Sequence, residues 1–434
     1  MTPEQVAALG PAFAAYLRDF EDCFGQDRTR EHLHTYCRGL LSDLPRKSVE
    51  PIALAAGTAV RTLQEFLKDH VWDRRAVRER LHRRVRETLA VVPADDLGTV
   101  GLLDETSVVK QGKKTPGVQR QWCGAVGKKE NCTVTVHLGV ARGGYKALLD
   151  ADLFLPESWS EDRPRCREAG IPDDVAYQPK WRLGLDQIYR AMGDGIALDW
   201  LTFDEGYGCR TGFLAELDAL SELRWVGEAP KSFRCLTAPP KGKKPCKGWT
   251  GKRADNLMRY SPVFRNQPWR RVTLKRQTLG EQMWEVKTAQ VYLIRDGEVT
   301  NRTYGLIAAR NRATGEVKYF VSNAPADAPL ERLLRIAFMR WNVEHGFRVS
   351  KTEIGFDHYE GRNYTGMMRH MLLCLVVLGF VAGQADRLRG EKPGGDAGTG
   401  LPSVEPTVRG VAGQPARDDR IGPCIQGHRL SPAA

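Results

Sequence analysis

Three acidic residues stand where chemistry could be built on them. Asp104 follows the apolar run 99–103 (TVGLL), and Asp204 follows 198–203 (LDWLTF). Short apolar runs of this kind read as buried strands. A strand end places a side chain at the edge of a sheet, where a site can form. One acid after a strand can simply mark a turn; two in the same setting point to a site. The third acid, Glu344, lies in 330–353, which reads as one long helix. Arg340, Glu344 and Lys351 are spaced by 4 and then 7 residues, and at about 100° per residue these offsets share one helix face. A surface ion pair would produce the same pattern for little energy. The alternative is a metal-binding carboxylate flanked by cations that grip phosphate. Glu105, Glu205 and Glu353 are the competing acids. Glu353 is the nearest rival of Glu344, but 9 residues further along it points to the opposite face.

The elements that must position these residues can be read in order. Residues 1 to about 95 read as all-helical. Within them, 48–67 (SVEPIALAAGTAVRTLQEFL) reads helix, turn, helix. A DNA-binding helix-turn-helix and a plain helical hairpin both fit it, the hairpin slightly better. The segment 73–87 (DRRAVRERLHRRVRE) reads as a basic helix, and a solvated face explains it as well as DNA contact does. Strands follow at 99–103, 133–140 and 145–155, then a helix at 178–192, a strand at 198–203, a helix at 211–220 and a strand at 223–227. That order, β-β-β-α-β-α-β, is the order of an RNase H-like domain. Further strands are expected at 284–294 and 318–322. An apolar helix is expected at 367–382, and a disordered tail rich in Gly, Pro and Arg over 384–434.

Charge is concentrated in one place. The chain of 434 residues has a formal net charge of +12. Residues 231–277 alone hold 14 Lys and Arg against one acid, Asp255, so the rest of the protein is nearly neutral. Trp249, Tyr260, Phe264 and Trp269 are interleaved with these cations. The composition suits a surface that tracks a nucleic-acid backbone with stacking side chains, and we read the segment as part of a β-rich insertion at about 231–325.

Other classes are disfavoured. The 10 cysteines form no CxxC pair and no zinc-type cluster, and the N-terminus lacks the pattern of a secretory signal. A reducing cytoplasm is the expected home. The longest apolar run, 371–383, is shorter than the ~20 residues a membrane span needs. No GxxxxGK[ST] motif is present, so ATP-driven chemistry is not expected.

Three stretches carry a resemblance: LLDETSVVKQGKKTPGVQRQWCGAVGKKENC, TFDEGYG and RWNVEHGFRVSKTEIGFDHYEGRNYTGMMRH. In this order they resemble the bacterial insertion-sequence transposases with a DDE superfamily endonuclease domain, over roughly residues 30–383. The last stretch also resembles the tyrosine-arginine-glutamate-lysine signature of the wider group. Arg340, Glu344 and Lys351 match its spacing, while the tyrosine position falls on Ala337, next to Phe338. The resemblance implies an α/β architecture, with an RNase H-like catalytic domain over 96–383 carrying the insertion, preceded by the helical 1–95 unit. It implies that Asp104, Asp204 and Glu344 hold two Mg²⁺ ions, for which Mn²⁺ can substitute. Hard carboxylate oxygens suit such ions.

The expected substrate is double-stranded DNA, both element ends and target. Arg340 and Lys351 are expected against phosphates of the cut strand. Arg120, Lys128 and Lys129 (with Gln119 and Asn131), in the loop after Asp104, are expected DNA contacts, as are Lys243, Lys244, Lys252, Arg253, Arg270 and Arg271 of the basic segment. Joining two ends implies at least a dimer on DNA. Two other readings share these residues: a catalytically decayed DNA-binding relative, which the intact acids argue against, and an RNase H-like nuclease without strand transfer, which would need neither the helical unit nor the insertion.

Overall fold

The computed structural model describes residues 3–239, 251–276 and 280–390. Five helices come first: α1 (Pro3–Arg18), α2 (Asp27–Leu41), α3 (Val49–Ala55), α4 (Val60–Lys68) and α5 (Arg74–Val91). Helices α3 and α4 turn at Gly57, whose φ of 64° suits a residue without Cβ. Ile52, Ala53, Leu63, Phe66 and Leu67 of this pair are buried, so the segment forms a packed helical hairpin. The basic helix α5 starts on an Asp73 cap that accepts from the Arg75 N–H at 2.8 Å, satisfying an end donor. One stripe of it (Val77, Leu81, Val85) is buried. Several of its arginines are taken up by local acids: Arg75 by Glu79, Arg80 by Asp22, and Arg84 by Asp19 and Glu87.

The sheet that follows has β1 (Thr99–Val109), β2 (Gln119–Cys123), β3 (Lys128–Arg142) and β4 (Tyr145–Leu153). After two short helices, α6 (Glu157–Ser160) and α7 (Arg163–Glu168), come α8 (Lys180–Gly193), β5 (Trp200–Phe203), the single-turn α9 (Glu205–Gly208), α10 (Thr211–Ala219) and β6 (Arg224–Ala229). β1, β3 and β4 are antiparallel neighbours, while β5 and β6 add on in parallel. The order β4-β3-β1-β5-β6, with α8 packed on β3 and β4, is consistent with the RNase H-like expectation. β1 is longer than expected. It runs on through Asp104 because β3 keeps pairing with it to Val109, whereas β5 stops at Phe203. The expected loop after Asp104 is also partly strand. Gln119 and Arg120 lie on β2, paired with Lys128–Cys132 of β3.

The 231–325 region is built from β7 (Arg234–Leu236), β8 (Lys252–Arg253), α11 (Ala254–Tyr260), α12 (Pro262–Arg265), β9 (Arg270–Arg276), β10 (Gly280–Arg295), β11 (Glu298–Val299), β12 (Tyr304–Asn311) and β13 (Val317–Ser322). It extends the same sheet, because β13 pairs with β6 and β12 with β13. Sequence reading missed β12, although its run YGLIAA is apolar and almost wholly buried.

The expected long helix is two: α13 (Leu330–Met339) and α14 (Trp341–Thr352), with a turn at Arg340. The break lets α13 lie on β5 and β6 while α14 lies on β1 and β4. The apolar helix α15 (Tyr364–Gly390) is longer than expected at both ends. The chain therefore stays helical past residue 384, where the tail was expected to begin, and residues 391–434 lie outside the described residues. Helix α15 is apolar enough to cross a membrane by length and composition, but 83% of its most apolar window is buried in the protein, against α2, α4 and α5 on one side and β4 on the other. A helix apolar all round belongs in a core. The buried residues of α1–α5, the sheet and α15 accordingly form one continuous cluster. Arg369 of α15 reinforces the joint. It donates to the carbonyls of Leu67, His70 and Trp72 at 2.9–3.2 Å and lies 4.3 Å from the Trp72 ring.

Two predictions follow from this packing. Gly227 pairs with Phe203 across β5 and β6, and a Cβ there would overlap the Phe203 ring. Gly227→Ala is expected to lower stability by about 1–3 kcal/mol or more, measured by urea unfolding; an unchanged midpoint would refute this account of the seam. His370 of α15 is fully buried between the Tyr36 hydroxyl and the Gly355 carbonyl, and burial pulls its pKa down to about 4. In the unfolded chain it takes up a proton near pH ~6.5, so its contribution is present above that pH and is lost as pH falls toward 4. Unfolding midpoints measured at pH 7, 5.5 and 4.5 should fall in that order, and less steeply in His370→Gln.

Candidate functional site

Parallel pairing places the first two acids side by side. Leu103 pairs with Phe203, so Asp104 and Asp204 are the next residues on adjacent strands. Asp104 is 95% buried and mid-strand, facing α14. One carboxylate oxygen accepts from the Glu105 N–H at 2.8 Å. Asp204 leaves the sheet where β5 ends and caps α9, accepting from the N–H groups of Gly206 at 2.9 Å and Tyr207 at 3.3 Å. A short acidic side chain is a favoured residue at such a cap.

Glu344 reaches the site from the first turn of α14. The link between the helix and the strand is Arg340. Its Nη1 stands 2.5 Å from Asp104 Oδ2 and 2.9 Å from Glu344 Oε1. Burial pushes the Asp104 carboxyl up to about 7; Arg340 opposes the rise, and the nearby charges of Asp204 and Glu344 add to it. Burial works against the Arg340 charge, but Asp104, Glu344 and Asp204 outweigh it and hold its pKa above the ordinary arginine value. The three acids therefore share one electrostatic environment with a cation among them. Of the rivals, Glu105 points to the other face and pairs with Lys180 at 2.7 Å. Glu205 is exposed on α9, and Glu353 sits at the far end of α14 as its C-cap.

Lys351 is turned inward. Its Nζ donates to Thr106 Oγ1 at 2.8 Å and to the Ser107 carbonyl at 2.9 Å. Arg340 and Lys351 thus face the same strand, as their spacing requires, but both are engaged by protein groups, not turned to solvent. Together they pin the two ends of α14 along β1, over the alternating face of Asp104 and Thr106. Between them Phe347 meets the edge of His137, at 4.8 Å between ring centres, and His137 is the β3 residue opposite Asp104. Ala337, at the tyrosine position of the signature, is buried; Phe338 beside it packs on Trp284 and Phe320.

The other expected DNA contacts fall into two groups. Arg120, Lys128 and Lys129 are exposed on the β2–β3 hairpin, which extends beyond the end of β1. Trp122, which sequence reading passed over, is exposed beside Arg120 and directly opposite Lys129. Asn131 instead ties the loop, donating to the carbonyls of Lys110 and Gly112, and Gln119 accepts from Ser158. In the basic segment Lys252, Arg270 and Arg271 are exposed, and Arg253 pairs with Asp255 at 2.6 Å. Lys243, Lys244 and Trp249 lie outside the described residues. The stacking expectation holds for fewer aromatics than the composition suggested. Tyr260 is exposed, Phe264 is core, and Trp269 is covered by Lys287 and Arg310.

A cavity of about 310 Å³ adjoins Asp204, lined among others by Lys180, Trp181, Tyr207 and Arg210. No sequence signal singles these out, since only the fold brings α8 and the α9–α10 turn to Asp204. As donors, three carboxylates without sulfur or imidazole fit a hard divalent cation. Among the described residues no three His, Cys, Asp or Glu side chains are grouped closely enough to hold one ion, and Arg340 stands between Asp104 and Glu344.

Comparison with known proteins bears on the family of the chain. A probable transposase for insertion sequence element IS701, from Microchaete diplosiphon, is 24% identical over 367 residues, covering 83% of this chain and 85% of that one. A family model described as DDE superfamily endonuclease matches residues 19–291, a span that contains Asp104 and Asp204 and ends before Glu344. With more than half of its length matched, and two of its candidate acids inside the match, the chain belongs to the DDE superfamily endonucleases.

Proposed function

We propose that this protein is a DNA transposase that cuts the ends of an insertion sequence and joins them to target DNA. The observation that carries the reading is that Asp104 and Glu344 share the Arg340 guanidinium, while Asp204 stands beside Asp104 at the end of the parallel β1–β5 pair. Asp104, Asp204 and Glu344 would hold the divalent ions, two Mg²⁺ or Mn²⁺. Such ions supply activation of the attacking oxygen and stabilisation of the leaving one.

The chain's own residues do the positioning. The β1–β5 pairing fixes Asp104 and Asp204 next to each other, and the α9 cap fixes the direction of the Asp204 carboxylate. Helix α14 brings Glu344 to them. Arg120, Lys128 and Lys129 on the hairpin, with Lys252, Arg253, Arg270 and Arg271 on the insertion, would bind backbone phosphates and orient the duplex. With water as nucleophile the reaction is hydrolysis and leaves a 3′-hydroxyl. With that hydroxyl as nucleophile on target DNA it is strand transfer. Each phosphodiester bond broken is replaced by another in the second step, so no ATP is required. In this division of labour residues 1–95 and the 231–325 insertion serve DNA binding around the 96–383 catalytic domain. Two protomers act on paired ends in the cytoplasm.

The decisive assay incubates the whole protein with a labelled duplex carrying the element end, in Mg²⁺ or EDTA. Asp104→Ala, Asp204→Ala and Glu344→Ala are each expected to lose cleavage by about 10²–10³-fold or more while still retaining the duplex in a gel-shift experiment. Cleavage that survives Glu344→Ala but disappears in Glu353→Ala would move the third position to Glu353. Absence of any wild-type cleavage despite tight end binding would sink the enzymatic reading. For the proposed phosphate contacts, Arg120→Ala, Lys129→Ala and Arg271→Ala should each weaken binding to all duplexes alike. Each should also reduce the slope of log affinity against log salt by about 0.9; an unaltered slope would exclude that residue as a phosphate contact.

A further inference from the structure

The expected partners of Arg340 were phosphates, yet the guanidinium is bound to the carboxylates themselves. Its side chain is mostly buried and touches one oxygen of Asp104 and one of Glu344 through the same nitrogen. It also sits at the turn between α13 and α14, so the side chain that bridges the acids is carried by the joint between two helices. Lys351 could not replace it, being held 11 residues on by Thr106 and Ser107.

We propose that Arg340 is the resident counter-cation of the metal-free site, occupying the carboxylate oxygens that divalent ions would need, and that loading with metal and DNA transfers it to a backbone phosphate. This rests on the metal-binding reading given above. Without Arg340, buried Asp104 would face Asp204 and Glu344 with no compensating charge, a costly arrangement. With it, the site is assembled but closed to a second cation. Metal and guanidinium compete for the same oxygens, and a phosphate resolves the competition by offering the guanidinium a bidentate partner of equal charge complementarity. Metal binding and DNA binding then favour each other, and by linkage each must raise the affinity of the other by the same factor. The free protein would bind ions weakly, and the site would fill when an end is in place.

The test uses Mn²⁺ alone as the probe, titrated calorimetrically into the full-length protein. Without DNA, Arg340→Gln is expected to bind Mn²⁺ about ten-fold tighter than wild type, within the usual range of coupling between sites. A short end duplex should raise the Mn²⁺ affinity of wild type but not that of Arg340→Gln. Equal or weaker Mn²⁺ binding by Arg340→Gln, with binding still abolished by Asp104→Asn, would overturn the counter-cation role and leave the metal reading intact. No Mn²⁺ binding by any form, with or without DNA, would remove the metal reading as well. Should Arg340→Gln fail to fold, Arg340→Lys serves, since an ammonium keeps the charge without the planar fork. It should bind Mn²⁺ more tightly than wild type, and affinity at or below the wild-type value would overturn the proposal.

Discussion

Gathering like charges at a buried edge is the constraint around which this protein is arranged. Asp104 lies in the core of the sheet, with Asp204 and Glu344 close enough to raise its pKa. Carboxylates so placed repel one another and lose hydration, and a protein tolerates that only when a positive partner is built in. Arg340 is that partner, and it joins the strand that carries Asp104 to the helix that carries Glu344. Because its two ion pairs run to different elements, it also decides where α14 sits.

Everything that holds this point steady is ordinary packing. The acids are adjacent because β1 and β5 are parallel with Leu103 beside Phe203. That register depends on Gly227 leaving room for the Phe203 ring. Helix α14 is held to β1 by Arg340 at one end and Lys351 at the other, with Phe347 seated on His137 between them. Behind it, α15 spends its apolar surface on the N-terminal helices and β4 together. The helical unit is therefore continuous with the core of the sheet, and the Arg369 contacts with the end of α4 and Trp72 make the joint polar as well as apolar.

The region between Asp204 and Glu344 enters the structure through β6. Strand β13 pairs with it, so the added strands lengthen the central sheet. Asp218 of α10 receives Arg295 and the Tyr304 hydroxyl from those strands and Arg302 from the turn before β12, tying them to the core at a second place. A rigid attachment of this sort keeps the exposed Arg270 and Arg271 at a fixed offset from the acids, which a flexible basic loop would not do.

Much of this was legible in the residues themselves. Apart from β2 and the short helices α6, α7 and α9, the order of strands and helices from β1 to β6 follows from apolar runs and their spacing, and so do Asp104 and Asp204 as neighbours of strand ends. The 4-and-7 spacing of Arg340, Glu344 and Lys351 correctly put Arg340 and Lys351 on one face, because helical periodicity is local and survives even the break at Arg340. What required the tertiary structure is partnership. Spacing says that a cation faces a given direction, not whether phosphate or carboxylate waits there. Arg340 and Lys351 read as phosphate contacts and are engaged by protein groups; Trp269 read as a stacking surface and is covered by two cations. Edge strand β2, which has no apolar run of its own, was invisible because its identity comes from pairing with β3. The length of β1 likewise depends on β3 and not on its own apolar run. Local sequence determined the elements and the chemistry they carry; long-range contacts, made between residues hundreds of positions apart, decided which charges meet.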